Sequence, residues 1–200
     1  MLLLVVARGG PHGSARDPRP QSARNSSRRR RCLVALIGVG RAAAHPQVID
    51  FRDTCSGHRA DGHNHADTIY GSTTCRGTRD TFRGLFGPDR IFGFFGDDTL
   101  LKGAKGDDLV VGGVGQDWIE GSDGFDTLRG GSNDDHIEGG NDGDRIIGGR
   151  GDEDILGQAG NDVIRGGEGA DFINCGDGSE DEAWGGVGDD TFVGCERSHE

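Results

Sequence analysis

A nine-residue repeat rich in glycine and aspartate is the feature that most restricts how this chain can fold. From Gly103 to Asn174 it runs without a slip through eight units: GAKGDDLVV, GGVGQDWIE, GSDGFDTLR, GGSNDDHIE, GGNDGDRII, GGRGDEDIL, GQAGNDVIR and GGEGADFIN. Three further units begin upstream at Cys75, with Lys102 as a single inserted residue, and GHNHADTIY from Gly62 fits the same frame. A period this short indicates a solenoid, in which each unit packs only on its neighbours.

The repeat becomes irregular after Asn174. In the degenerate unit CGDGSEDEA we place Glu180 in the sixth position and Glu182 in the eighth, with Trp184 inserted before the regular unit GGVGDDTFV. A charged residue in a buried position is costly, and the terminal repeats of a solenoid are expected to be atypical. We therefore expect capping repeats over residues 175–200.

Two positions of the repeat carry most of the information. The sixth position is acidic and supplies the candidate metal ligands Asp80, Asp89, Asp98, Asp108, Asp117, Asp126, Asp135, Asp144, Glu153, Asp162, Asp171 and Asp190. The eighth position is apolar, with Phe82, Ile91, Leu100, Val110, Ile119, Leu128, Ile137, Ile146, Ile155, Ile164 and Ile173. This pattern predicts one buried side chain and one turn carboxylate in each unit.

The glycines at the first, second and fourth positions predict a sharp turn, because glycine adopts φ > 0 without steric cost. Asn133 and Asp142 replace the fourth glycine, and both residue types tolerate the left-handed region. The three residues at positions seven to nine are then a short strand whose middle side chain points inward. Two units make one coil of 18 residues with a strand on each side.

Coils stacked about 4.8 Å apart bring carboxylates of successive coils together in two ladders. One ladder runs through Asp108, Asp126, Asp144 and Asp162, and the other through Asp98, Asp117, Asp135, Glu153 and Asp171. Such carboxylates repel one another unless a cation lies between them. Carboxylate and turn carbonyl oxygens suit a hard cation, which favours Ca²⁺ over Zn²⁺. Glu153 is one methylene longer than Asp and is expected to perturb its ladder.

These units resemble the RTX, or haemolysin-type, calcium-binding repeat G-G-x-G-x-D-x-U-x over about residues 62–193. The resemblance implies an all-β fold, a right-handed parallel β-roll (a β-helix solenoid), with several Ca²⁺ ions bound between successive turns. One apolar side chain per unit cannot offset the entropy of ordering nine residues. We therefore expect the chain to be disordered without calcium and to fold when calcium binds.

The charge distribution separates two parts of the chain. Residues 1–44 hold nine Arg and one acid, whereas residues 45–200 hold 13 bases and 33 acids, a formal charge of −20. That charge excludes nucleic acid and anionic membranes as partners, since both require Lys and Arg. Because the acids belong to the repeat and no Ser or Cys stands in a nucleophile motif, we expect no enzymatic activity.

Residues 1–44 resemble a leader with an export signal, in which four arginines at 28–31 precede an apolar stretch at 32–40 and three alanines at 42–44. The apolar stretch is too short to span a bilayer. We therefore expect an extracellular protein with an amino-terminal cap at 45–74, the calcium-binding β-roll at 75–174 and capping repeats at 175–200.

Four cysteines remain after cleavage at residue 44. They allow three pairings, and the equal separation of 20 residues favours Cys55 with Cys75 and Cys175 with Cys195. Disulfides at the two ends would act as staples in an oxidising compartment.

Two alternatives stay open at this stage. Cys55, His58, His63 and His65 could bind zinc or copper, although solvated histidines in a loop beside a disulfide are the favoured interpretation. The protein could also be a calcium-stabilised adhesion or cell-surface structural module with an unknown cell-surface or extracellular matrix partner, or a calcium-dependent accessory module of a secreted hydrolase.

Overall fold

The computed structural model describes residues 46–55 and 57–200, and within these ranges the chain forms seventeen β-strands and no helix. The strands are β1 (Val48–Asp50), β2 (Arg59–Asp61), β3 (Thr68–Tyr70), β4 (Thr81–Phe86), β5 (Arg90–Phe95), β6 (Leu100–Lys105), β7 (Leu109–Val114), β8 (Trp118–Asp123), β9 (Thr127–Ser132), β10 (His136–Asn141), β11 (Arg145–Arg150), β12 (Asp154–Ala159), β13 (Val163–Glu168), β14 (Phe172–Asn174), β15 (Glu182–Val187), β16 (Thr191–Val193) and β17 (Arg197–His199). The predicted export signal lies outside the described residues. No described segment is a helix long and apolar enough to cross a membrane.

The strands alternate between two parallel sheets. Odd-numbered strands form a nine-stranded sheet and even-numbered strands an eight-stranded one, each in sequence order. Within the regular part of the roll, partners are 18 residues apart, as in the pairing of Val110 with Leu128. The predicted parallel β-roll, with two units per coil and one strand on each side, is confirmed.

The core is a single column of inward side chains from the eighth position. Those with no exposed surface are Ile69, Phe82, Ile91, Leu101, Val110, Ile119, Leu128, Ile137, Ile146, Ile155, Ile164, Ile173 and Ala183. The assignment of Leu100 to this column was wrong. Leu100 pairs with Thr81 and stays half-buried, so the inserted residue lies between Asp98 and Leu101 and not at Lys102.

The strands are longer than the three residues predicted. Most span six, for example Leu109–Val114, because pairing continues through the glycines that open the next unit. Gly113 pairs with Gly131 even though both have positive φ, at 126° and 128°. Because these glycines have no side chains, the backbones of successive coils can remain hydrogen-bonded where the chain bends.

Positive φ occurs at the second and fourth positions of the repeat. Gly113 and Gly115 show the pattern, with φ of 126° and 137°. Asn133 and Asp142 adopt φ of 80° and 72° at the fourth position, which confirms why these residue types replace glycine there. The first position does not have positive φ, so the prediction for that glycine was wrong and another cause is needed.

Both ends of the roll are closed by disulfides, Cys55–Cys75 and Cys175–Cys195, the pairing predicted. The frame predicted for the degenerate unit was wrong. Asp181, not Glu180, occupies the sixth position, and Ala183, not Glu182, points inward. The extra residue lies in the turn before Asp181 and not at Trp184, so no charge enters the core.

Candidate metal centre along the turns

The sixth-position carboxylates lie where each turn meets its strand, and they join neighbouring coils. The main-chain N–H of Asp108 donates to Oδ1 of Asp126 over 2.8 Å, and that of Asp117 donates to Oδ1 of Asp135 over 2.9 Å. The same bond recurs along one ladder through Asp67, Asp89, Asp108, Asp126, Asp144, Asp162 and Asp181. In the other ladder it connects Asp80, Asp98, Asp117 and Asp135, and then Glu153, Asp171 and Asp190.

The second oxygen of these carboxylates has no partner. Twelve buried carboxyl groups leave at least one oxygen without a hydrogen bond: Asp80, Asp89, Asp98, Asp108, Asp117, Asp126, Asp135, Asp144, Glu153, Asp162, Asp171 and Asp181. Buried polar atoms are nearly always satisfied in native proteins, because an unmade hydrogen bond costs about 1–3 kcal/mol. A regular row of buried carboxylate oxygens without a hydrogen-bond partner fits a set of cation ligands.

The first-position glycine explains how these oxygens come close to the backbone. A Cβ at Gly139 would lie 2.6 Å from Oδ2 of Asp144 and 2.6 Å from the carbonyl oxygen of Gly157 in the next coil. The glycine is therefore required for close approach, since a methyl group would displace two oxygens from two coils. The atoms beside this glycine are Oδ2 of Asp144, the carbonyl oxygen of Gly157 and Cδ1 of Ile146.

Burial raises the pKa of these acids and so favours their neutral form when no cation is bound. Desolvation raises the pKa of Asp98, Asp117 and Asp144 to about 8, and nearby carboxylates such as Asp135 and Asp162 add to the rise. The pKa of Asp108 and Asp126 is raised to about 7 by the same cause. Each ladder therefore needs protons or a cation to compensate its charge at neutral pH.

Glu153 interrupts its ladder, as predicted. Its own N–H donates to Oδ1 of Asp171 over 3.0 Å, but both of its carboxylate oxygens are buried without a partner. Among the described hydrogen bonds, none joins the N–H of Asp135 to Glu153, whereas every other ladder Asp from 80 to 171 finds an acceptor. Burial raises the pKa of Glu153 to about 9.

Surface clefts give access to both ladders. One cleft lies between the turns of Asp98 and Asp117, with Trp118 and Asp134 in its wall. Another lies between Asp89 and Asp108. No group of three or more acidic, histidine or cysteine side chains within the described ranges could hold a metal ion by itself. A cation at these turns must therefore also use main-chain carbonyl oxygens.

This donor set fits one class of metal. It consists of single carboxylate oxygens and turn carbonyls from adjacent coils, with no nitrogen or sulfur. Oxygen-only donors suit Ca²⁺, which accepts six to eight oxygen ligands with flexible geometry.

Comparison with known families agrees with this chemistry. A family model of the RTX calcium-binding nonapeptide repeat matches four times, over residues 77–110, 100–119, 111–146 and 147–179. The chain belongs to the RTX calcium-binding repeat family. Membership supports calcium binding by these repeats. No curated protein matches the chain.

The RTX repeats place nearly all of the predicted ligands in buried positions. Eleven of the twelve are at most 3% exposed, and Asp190, in the last coil, is half-buried and accepts a 3.0 Å bond from Asp171. Asp67 and Asp181 occupy ladder positions that the sequence interpretation did not include. Asp67 could have been found, because it stands sixth in GHNHADTIY, whereas the extra residue before Asp181 hid its position. Their role as calcium ligands stays a prediction.

The RTX ladders change residue type at their ends. His58 takes the first rung of the second ladder, where its N–H and Nδ1 lie 2.8 Å and 2.9 Å from Oδ1 of Asp80. Gln47 donates to Asp67, and Glu196 accepts from Asp181 over 2.9 Å. His58 is thus part of the ladder and not a solvated loop residue as expected.

The histidine cluster is not assembled as a zinc or copper site. Cys55 is in a disulfide, and no described group of three ligands that includes His58, His63 or His65 could hold a metal. His63 instead lies beside Asp67, its N–H 2.5 Å from Oδ2.

A second row of turn contacts was not foreseen. Asp134 Oδ1 accepts from the N–H of Asp152 over 3.0 Å, and Asp152 Oδ1 accepts from Ala170 over 2.8 Å. These fifth-position side chains are exposed and reach the following coil, whereas sixth-position carboxylates reach the preceding coil. At Asp134 and Asp135 the two rows together connect one turn with both neighbouring coils.

Proposed function

We propose that this chain is an exported calcium-binding protein whose repeats fold into the β-roll when Ca²⁺ binds. The observation that carries the proposal is the row of twelve buried carboxyl groups, each with an oxygen that has no partner. Bound Ca²⁺ supplies the positive charge that these oxygens lack. The protein's part is to hold the oxygens of adjacent coils toward one another.

The ladders support a specific set of ligands. In the first ladder, Asp108, Asp126 and Asp144 each keep Oδ1 on a main-chain N–H, which leaves Oδ2 for a cation. Asp98, Asp117 and Asp135 do the same in the second ladder. Because each carboxylate is fixed by a bond from the preceding coil, its Oδ2 is positioned only when that coil is in place. Cation binding and coil stacking therefore depend on each other.

Coupled folding follows from the small core. Each unit buries one apolar side chain and one carboxylate, so burial of a charge accompanies every gain in apolar burial. Without a cation, the cost of burying the carboxylate opposes the gain from burying the apolar side chain. With Ca²⁺ bound, the free energy of binding adds to the free energy of folding.

Export is supported by the disulfides at the two ends of the roll. Disulfides persist in oxidising compartments and are rare in the cytosol. Weak calcium sites, with dissociation constants of about 10⁻⁴ to 10⁻³ M as in extracellular modules, would keep the chain unfolded before export.

The folding proposal is tested by circular dichroism of the purified chain in chelator and then in excess Ca²⁺, with Mg²⁺ as the matched control cation. We expect a disordered spectrum in chelator, a β spectrum in Ca²⁺ and little change in Mg²⁺. A full β spectrum in chelator at pH 8 would contradict coupled folding.

We also propose that the chain has no catalytic activity of its own. The described buried carboxylates form regular ladders, whereas general acid–base catalysis needs a pair in two distinct environments. A hydrolase screen with and without Ca²⁺ tests this, and calcium-dependent turnover that disappears on a single ladder substitution would overturn it.

A further inference from the structure

The outer faces of the two sheets carry opposite charge in the same three coils. The outward residues of β9, β11 and β13 include Arg129, Arg145 and Arg165, which are exposed and have no ion pair among the described residues. We call these three arginines, with Ile147 and Val163 between them, the basic face.

The opposite sheet is acidic at the same level. The outward residues of β8, β10 and β12 include Glu120, Asp123, Glu138 and Asp154, with no Lys or Arg in these strands, and these four carboxylates are the acidic face. Glu120 and Asp123 contact lysines of β6. Among the described ionisable groups, Glu138 and Asp154 contact only the imidazole of His136. The distance from each carboxylate oxygen to the nearest ring nitrogen is 3.0 Å.

The geometry of the roll aligns these faces. Strands β8 and β9 belong to one coil, β10 and β11 to the next, and β12 and β13 to the third. Both faces therefore lie at the same height along the roll. A second molecule placed side by side, with its axis parallel, brings its acidic face against the basic face without any axial shift.

The surroundings of the arginines favour a flat contact. Arg165 lies over the ring of Trp184, 4.8 Å from its centroid, so its guanidinium is held against the sheet. Arg129, Ile147 and Arg165 are direct cross-strand neighbours in one row.

We propose that the basic face of one molecule docks on the acidic face of a second copy of this chain, side by side and with parallel axes. Contact between two basic faces would place arginines together, and contact between two acidic faces would place carboxylates together, so charge selects the unlike pair. Because the two surfaces differ, the contact is heterologous and repeats into open rows. This inference goes beyond calcium binding, although Ca²⁺ in the ladders would lower the repulsion between copies that carry −20 each over residues 45–200.

Sedimentation velocity of the full chain in saturating Ca²⁺ tests the proposal with paired charge reversals. The basic-face variant is Arg129→Glu/Arg145→Glu, the acidic-face variant is Glu138→Arg/Asp154→Arg, and the four-fold variant combines them. Circular dichroism in Ca²⁺ verifies that each variant keeps its β spectrum. None of the four residues belongs to a ladder, so the variants should bind calcium like the wild type. Loss of association with calcium binding retained would therefore concern the docking proposal alone and not the proposed calcium-binding function.

We expect the wild-type chain to form dimers and larger species at low ionic strength and to dissociate in high salt. We expect each double variant to associate at least about tenfold more weakly than the wild-type chain. Association should return in an equimolar mixture of the double variants and in the four-fold variant, whose net charge equals that of the wild type. A monomeric wild type, including one that instead binds heparin, would overturn the proposal, and so would double variants that associate like the wild type or a mixture that stays monomeric.

Discussion

The main-chain N–H of Asp108 donates a 2.8 Å hydrogen bond to Oδ1 of Asp126, while Oδ2 of the same carboxylate is buried without a partner. One oxygen thus fixes the position of the side chain between two coils, and the other remains for a cation. Because this relationship repeats along both ladders, we propose that calcium binding and coil stacking are one process.

Shortening Glu153 should repair the interrupted ladder. In Glu153→Asp we expect Oδ1 to accept the N–H of Asp135 and the free energy of unfolding in saturating Ca²⁺ to rise by about 0.5–1.5 kcal/mol. Chemical denaturation measures it. The control Glu168→Asp shortens an exposed side chain on β13 and should change stability little. Equal effects of the two substitutions would contradict the ladder geometry.

Adding a methyl group at a first-position glycine should displace ligand oxygens. Gly139→Ala places Cβ 2.6 Å from both Asp144 Oδ2 and the Gly157 carbonyl, so we expect a loss of roughly 1–3 kcal/mol and weaker calcium binding. Gly77→Ala is the matched control, because a Cβ there meets nothing within 4 Å. Similar stability and calcium affinity for both variants would count against close approach at this position.

The metal-free chain should fold better in acid. Burial raises the pKa of Asp98, Asp117 and Asp144 from 3.8 to about 8, so the roll binds more protons than the unfolded chain between these values. Stability of the metal-free roll must therefore increase as pH falls from about 8 toward 4. Circular dichroism in chelator at pH 8 and pH 5 measures this.

Calcium binding should depend on pH in the opposite direction. Protons compete with Ca²⁺ for the same carboxylate oxygens, so the calcium affinity should decrease as the pH is lowered. Asp98→Asn/Asp117→Asn removes two of the responsible groups and should reduce the gain in acid. A metal-free chain with more β structure at pH 8 than at pH 5 would show that the carboxylates do not control folding.

Loss of the carboxy-terminal disulfide should loosen one end only. Cys175→Ser/Cys195→Ser opens a link of 20 residues, and we expect a local loss of about 3 kcal/mol. Amide hydrogen exchange in Ca²⁺ should become faster in β14 and β16 and stay unchanged in β2 and β4. The control Cys55→Ser/Cys75→Ser should show the opposite pattern. Uniform acceleration along the chain would mean that the coils do not respond locally.

The features of the fold that depend on the nine-residue period could be predicted from the sequence. The two-sheet roll, the inward Val110 and Ile119, and the place of Asp126 in a ladder of stacked carboxylates all follow from positions in the repeat. Asn133 and Asp142 at positive φ also followed, because few residue types adopt that conformation.

Insertions and hydrogen-bond roles could not be predicted in the same way. A single extra residue fits either before or after a turn carboxylate, so the choice of Leu101 over Leu100, and of Asp181 over Glu180, depends on packing between coils. The division of labour between Oδ1 and Oδ2 depends on three-dimensional contacts, as does the place of His58 in a ladder.

Calorimetric titration of Ca²⁺ into the chelator-treated chain, with Asp126→Ala and the exposed fifth-position control Asp107→Ala, tests the central claim most directly. Asp107 accepts a hydrogen bond from the main-chain N–H of Phe125 in the next coil, but it is not one of the buried carboxylates without a partner. We expect the wild type and the Asp107 variant to bind Ca²⁺ with the same stoichiometry and heat, and the Asp126 variant to lose at least one site. Equal stoichiometry and heat for all three proteins would contradict the assignment of the ladder carboxylates as calcium ligands.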